Sequence, residues 1–243
     1  MRQISGGVAH RSPFGKWLAL VVLGACLPGL TGCREDPPVA APIQQPQLYL
    51  HVNAGDSFSY VRWSLDQYGY IMENSAVPER WRVLQTGVPM LGDTDVVVVV
   101  DTIGTGSPET LLFRFTAAGE VYQYGFLSRV IREMGGGNIS PQWDVLARSG
   151  QSVGSSWVAG VSDSVGTDTV YGQFTGDSKY FSVRLNGTST VFTVYHVVLY
   201  SQRVQYDLWL TDSPSCMTTF QEGSTAAGNG FVASLTSMTA VRP

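Results

Sequence analysis

Apolar and polar residues alternate along most of the chain from residue 48 onward. Alternation with a period of two is typical of β-strands that bury one face. The pattern predicts roughly ten to twelve strands in total. The predicted strands are Leu48–Val52, Ser57–Trp63, Leu111–Phe115, Glu120–Tyr124, Trp157–Val161, Thr169–Phe174, Tyr180–Leu185, Thr188–Tyr195, Val197–Tyr200, Val204–Leu210 and Phe231–Val241. The five valines of Val96–Val100 do not alternate and predict a strand that is covered on both faces or lies at an edge.

Two segments interrupt the alternation and predict short helices. Apolar residues of the segment 125–134 recur at helical spacing, with Arg129, Arg132 and Glu133 on the opposite side, and a glycine run follows. Ser140 and Pro141 provide a cap and a first-turn proline for a second helix over 141–148. We expect both helices to cover a sheet.

The fold class is therefore predicted as mainly β. We expect one strongly curved antiparallel sheet or an open half-barrel, similar by analogy to the carriers and receptors that sort bacterial lipoproteins. A two-sheet sandwich is the alternative. Many tyrosines and tryptophans on the predicted elements indicate packing in the core or one partly hydrated concave face; they are Trp63, Tyr68, Tyr70, Trp81, Tyr122, Tyr124, Trp143, Trp157 and Trp209.

A short pattern occurs twice, 99 residues apart by residue number. Gly55-Asp56-Ser57-Phe58 and Gly154-Ser155-Ser156-Trp157 share Gly-x-Ser-aromatic, and each opens a β-rich half. The pattern weakly resembles β-rich bacterial lipoproteins of unassigned function. A true duplication and a chance match both stay open, because Gly and Ser are abundant here.

The first 32 residues have the composition of an export signal. Arg2, Arg11 and Lys16 precede an apolar run over residues 17–30, which is shorter than the roughly 20 residues that a membrane-spanning helix needs. Leu30-Thr31-Gly32-Cys33 follows and resembles the lipobox of bacterial lipoproteins. In that family the cysteine receives a diacylglycerol thioether, the leader is cut before it, and the new amino group is acylated. Cys33 is thus the predicted lipid-attachment residue.

A second box, Leu23-Gly24-Ala25-Cys26, is the weaker candidate, since cleavage there leaves an apolar start to the mature chain. Residues 34–47 contain four prolines and no hydrophobic periodicity, which predicts a tether after Cys33. The predicted organisation is a signal peptide (1–32), a lipidated cysteine with its tether (33–47) and one β-rich domain (48–243).

The acidic charge of the chain excludes nucleic acid as a partner. Only 14% of the residues are charged. Without the leader the chain carries 12 basic and 19 acidic residues, a formal net charge of −7. Such an acidic chain shows no electrostatic footprint for nucleic acid.

No compact catalytic or metal-binding motif is found, and no cofactor is predicted. Gly55-Asp56-Ser57-Phe58 superficially resembles the Gly-Asp-Ser-Leu block of a serine esterase family, but Thr193 stands where the aspartate before His196 is required. After cleavage and acylation Cys216 has no cysteine partner, so it is interpreted as a small apolar core residue.

We therefore expect a non-enzymatic envelope lipoprotein, attached to the membrane by lipid, whose β domain binds an apolar ligand or lipid. The alternative is an assembly lipoprotein that binds another envelope protein. A deep apolar cavity would favour the first, and an exposed aromatic patch the second. Clustered buried carboxylates would favour an enzyme. Arg34, rather than aspartate, follows Cys33, which by resemblance to the sorting rule of Gram-negative bacteria predicts the outer membrane.

Overall fold

The computed structural model describes residues 52–133, 138–161, 168–211, 220–225 and 230–241. These residues form twelve strands, one α-helix (α1, Phe126–Glu133) and a short 3-10 helix, Glu73–Ser75. Residues 48–51 of the strand predicted at 48–52 and the predicted roles of Cys26, Cys33 and Cys216 lie outside the described residues, and Val52 is described but belongs to no strand. The strands are β1 Ser57–Leu65, β2 Val77–Met90, β3 Asp93–Ile103, β4 Glu109–Phe115, β5 Glu120–Tyr124, β6 Trp143–Arg148, β7 Ser156–Val161, β8 Thr169–Leu185, β9 Thr188–Tyr200, β10 Val204–Thr211, β11 Phe220–Thr225 and β12 Gly230–Thr239.

All twelve strands belong to one sheet. Its order is β6-β5-β4-β3-β2-β1-β12-β11-β10-β9-β8-β7, so each half of the chain is an antiparallel meander, and β1 and β12 join the two halves. A two-residue parallel pairing between β12 and β8 is the one addition to this order. The prediction of a single, mainly β antiparallel sheet that is not a closed barrel is confirmed.

The sheet curls until its two edge strands, β6 and β7, come close together. Trp157 on β7 donates its indole N–H to the carbonyl of Val145 on β6, over 3.1 Å. Gly160 on β7 packs against Asp144 of β6 and Leu127 of α1. Side chains, rather than ladder hydrogen bonds, therefore connect the edges over the part of the chain that the structure describes.

The hairpin predicted at Asn186-Gly187 is present, and it is longer than expected. Both residues have positive φ, 48° and 85°, as a tight hairpin turn requires. The two strands predicted before the turn are parts of one strand, β8. The two predicted after it are parts of one strand, β9. A register shift between Phe174 and Ser178 explains why the alternation breaks within β8.

The second predicted helix is wrong. Residues 141–148 contain strand β6 instead, which pairs with β5. Asp144, Val145, Leu146 and Ala147 are all buried, so the strand is covered on both faces and lacks the alternation that would have identified it. The first helix is confirmed as α1, although Arg129, which we placed on its polar side, is only 7% exposed.

The interior of the curled sheet is filled by packed side chains. Trp81 lies between Tyr60 and Phe113, with ring centroids 5.1 and 5.9 Å away. From α1, Phe126 packs edge-on against Tyr206 at 4.8 Å. Phe126 and Leu127 of the helix are thus part of the packed core.

The two copies of the Gly-x-Ser-aromatic pattern form equivalent turns. Gly55 and Gly154 both have positive φ, 98° and 82°. Asp56 N–H donates to the Asn53 carbonyl and Ser155 N–H to the Ser152 carbonyl, each at 3.0 Å. Each turn opens one six-stranded meander, β1–β6 or β7–β12.

Candidate functional site

The segment that resembles the esterase block forms a structural turn. The fully buried carboxylate of Asp56 accepts the N–H groups of Asn53, at 2.8 Å, and Val241, at 2.7 Å. Ser57 lies in the ladders of β1 with Arg82 and Thr239. Asp56 therefore ties the start of the first strand to the end of the last.

His196 belongs to a separate cluster on β8, β9 and β10. Its Nε2 lies 2.7 Å from Asp207 and its Nδ1 3.2 Å from the hydroxyl of Thr175. The carboxylate partner therefore comes from a neighbouring strand, which sequence spacing could not reveal. The Thr175 hydroxyl also donates to Asp177 at 3.0 Å and accepts the Asp177 N–H at 3.1 Å. These bonds hold the irregular part of β8 in place.

A network of charged side chains lies between the sheet and α1. Arg129 donates to Asp101 on β3 at 2.9 Å. Arg62 on β1 lies 3.5 Å from Glu79 on β2 and 2.5 Å from Glu133 on α1. Both Glu79 and Asp101 are almost fully buried. The network therefore fixes the helix to three neighbouring strands.

Burial governs the chemistry of Asp101. Desolvation, helped by the nearby charge of Glu79, raises the pKa of Asp101 to about 7, although Arg129 opposes the shift. A raised carboxyl pKa next to a cavity can indicate acid–base catalysis. An open cavity of about 500 Å³ does lie beside α1 and is lined by Gln123, Ser128, Arg129 and Arg132 among others. Of the network, Arg129 lines this cavity whereas Asp101 and Glu79 do not, so the carboxyl with the raised pKa does not border the open space.

Asp144 on β6 caps the start of α1. It accepts the N–H of Leu127 at 2.9 Å, which satisfies one of the free donors of the first helical turn. Burial raises the pKa of Asp144 to about 7, although the hydrogen bonds from Leu127 and Gln142 oppose the shift. This capping residue lies on a strand that follows the helix in the chain. It could therefore not be recognised from the residues just before α1.

One loop after β1 carries four neighbouring exposed apolar or aromatic side chains. The tyrosine loop, defined here as residues 66–72, presents Tyr68 and Tyr70, which are 75% and 71% exposed, together with exposed Ile71 and Met72. We had placed the two tyrosines on regular elements, and the structure places them in this loop. Tyrosine and methionine are enriched at protein interfaces.

The tyrosine loop is preformed. The carboxylate of Asp66 accepts the N–H groups of Tyr68 and Tyr70 at 2.8 and 2.9 Å. Asp66 N–H also donates to the carbonyl of Tyr70 at 2.9 Å, and Ile71 forms a bridge with Leu65. A loop fixed in this way loses little conformational entropy when it binds a partner.

Comparisons with known proteins assign no family. No protein-family model matches the chain, and no curated protein matches its sequence. A protein of Bacteroides fragilis, described as exported and as having a YmcC-like fold, is similar in structure, with 9% identity, a TM-score of 0.42 and coverage of 79% of this chain and 99% of that one. A protein of Parabacteroides distasonis described as a lipoprotein has 12% identity, a TM-score of 0.40 and coverage of 80% and 100%. These similarities are distant, so the functional proposal is based on the residues of this chain.

The described residues contain neither a candidate metal cluster nor a candidate membrane-spanning helix. No group of three or more His, Cys, Asp and Glu side chains within them could hold a metal ion. No helix in the same part of the chain is long and apolar enough to cross a membrane.

Proposed function

We propose that this chain is an exported lipoprotein, anchored through Cys33, that docks onto another envelope protein through its tyrosine loop. The observation that carries the docking proposal is the group of four exposed apolar or aromatic side chains on one preformed loop. The leader and the box at Leu30–Cys33 support export and anchoring. We assign no catalytic step to the protein.

The packed interior of the domain favours docking of a protein partner over binding of an enclosed apolar ligand. Many core side chains pack against one another inside the curled sheet, and residues of α1 belong to the same cluster. Apolar surface available to a partner therefore lies on the outside, where exposed patches mark interaction sites. This reasoning favours the assembly alternative over our first expectation.

Replacing Cys33 by serine should abolish lipid attachment, because only the thiol can form the thioether. Cells fed with labelled palmitate should label the wild-type protein and the Cys26→Ser control, and the label should fractionate with outer-membrane markers as Arg34 predicts. Labelling of Cys33→Ser together with loss of label in Cys26→Ser would show that the second box is used.

A photo-crosslinking residue at Tyr70 should give one discrete adduct with an envelope protein in intact cells. Tyr180 on β8 is the matched control, because it is also a highly exposed tyrosine but lies outside the loop. The Asp66→Ala variant should weaken the adduct, since it removes the two hydrogen bonds that shape the loop. An equal adduct at Tyr180, or none at Tyr70, would contradict the docking proposal.

A further inference from the structure

A second surface feature lies on β7, β8 and β9, away from the tyrosine loop. Here an open pocket of about 440 Å³ faces solvent. The residues that alternate with its tyrosines, Val170, Gly172 and Leu199, are buried, so the pocket lies on the side of the sheet opposite the core. Its lining residues are Asp168, Thr169, Tyr171, Tyr200, Ser201 and Gln202.

Two tyrosines form the apolar part of this pocket. Tyr171 and Tyr200 are cross-strand partners on β8 and β9. Their ring centroids are 6.2 Å apart and the ring planes are inclined by 37°. They are 42% and 37% exposed, so both rings remain accessible, and exposed Val158 extends the apolar surface onto β7.

Polar groups form the rest of the pocket and are held in place. The carboxylate of Asp168 accepts the Ser201 hydroxyl at 2.8 Å and the N–H of Gln202 at 3.4 Å. The Ser201 oxygen in turn accepts the N–H of Arg203 at 3.1 Å. The Asp168 carboxylate and the Ser201 hydroxyl are thus fixed beside the tyrosine pair, and Thr169 and Gln202 complete the polar lining.

We propose that this pocket binds a neutral, hydroxyl-rich ligand, namely a short stretch of a carbohydrate chain. Aromatic rings offer apolar faces with a polar hydroxyl tip, and such faces match the C–H faces of sugar rings. The carboxylate and amide provide acceptors and donors for neighbouring sugar hydroxyls. The volume lies within the range of small-molecule sites.

Charge narrows the ligand class. Asp168 lies in the pocket, and the chain without its leader carries a net charge of −7. Both disfavour an acidic polysaccharide because like charges repel. The polar lining likewise disfavours a lipid chain, which would leave Asp168 and Gln202 without water. This inference does not depend on the docking proposal, which concerns a different loop.

The test uses the full chain in detergent micelles and three neutral probes: cellotriose, maltotriose and tri-N-acetylchitotriose. Saturation-transfer NMR should detect binding of at least one probe at millimolar concentration. Tyr171→Ala and Tyr200→Ala should each weaken that binding about fivefold or more, since each removes one stacking face. Thermal melts should show that both variants remain folded.

Tyr180→Ala is the matched control, because Tyr180 is an exposed tyrosine on the same strand but outside the pocket. It should leave binding unchanged, and a trigalacturonate probe should bind more weakly than the neutral sugar. The inference is overturned if none of the neutral probes binds, if Tyr180→Ala weakens binding as much as the pocket variants do, or if the acidic sugar binds equally well.

Discussion

Replacing Arg129 by leucine should lower the free energy of unfolding by about 3–5 kcal/mol, the usual cost of removing one partner from a buried ion pair. Leucine restores much of the apolar volume but leaves Asp101 buried without its cation. Chemical denaturation at pH 8 measures the loss. At pH 5 the loss should be smaller, because the raised pKa of Asp101 lets that carboxyl take up a proton there.

Two further variants make this expectation specific. Arg132→Leu lies on the same helix, but its ion pair with Glu109 is exposed and 3.3 Å long, so it should cost no more than about 1 kcal/mol. The double variant Arg129→Leu/Asp101→Leu should recover most of the loss, since no unpaired charge is left inside. Equal losses at Arg129 and Arg132 would show that the buried network does not hold α1.

The strand pattern was predictable wherever one face of a strand is apolar. β1, β4, β5 and the β8–β9 hairpin follow their alternation because their neighbours bury alternate residues. β11 was not predicted, and β2 was missed although it alternates too. Its inward residues include Glu79 beside Trp81 and Val83, and a charged residue at an inward position hides the apolar face.

The same charges explain why the interior network could not be read from the sequence. Arg62, Glu79, Asp101 and Arg129 come from four different elements and meet only when the sheet curls around α1. On a helix or strand taken alone, each is most simply interpreted as a solvent-exposed residue. Long-range pairing, rather than local pattern, decides their burial.

The amino-acid composition indicated an excess of aromatic residues, but the positions of the two candidate surfaces could not be predicted from it. The excess of tyrosine and tryptophan indicated either packing in the core or a partly hydrated concave face. Trp81 and Trp157 do pack in the core, but the exposed tyrosines lie in a loop and on the side of the sheet opposite the core. Their positions depend on a turn built by Asp66 and on the cross-strand register of Tyr171 with Tyr200. Neither follows from spacing along the chain, since register is set by the whole sheet.

Substitutions at the contact between the edge strands β6 and β7 should lower the stability as much as substitutions in the ion network do. Trp157 packs its indole directly over Gly172, where an added Cβ would lie 2.2–2.5 Å from three indole atoms. Gly172→Ala should therefore displace the indole and break its hydrogen bond to Val145. Overpacking of a well-filled site costs about 1–3 kcal/mol, and loss of the bond at the buried carbonyl adds about 1–3 kcal/mol.

Urea denaturation of four variants separates these causes. Trp157→Phe removes the indole N–H and keeps an aromatic ring, so it should lose about 1–3 kcal/mol. Gly172→Ala/Trp157→Leu should be more stable than Gly172→Ala alone, because the smaller side chain makes room for the new methyl group. Ser182→Ala, at an exposed position on the same strand, should change stability by no more than about 0.5 kcal/mol. A Gly172→Ala variant as stable as Ser182→Ala would mean that the indole does not join β7 to β6, and that the curled sheet is held by α1 and the ion network instead.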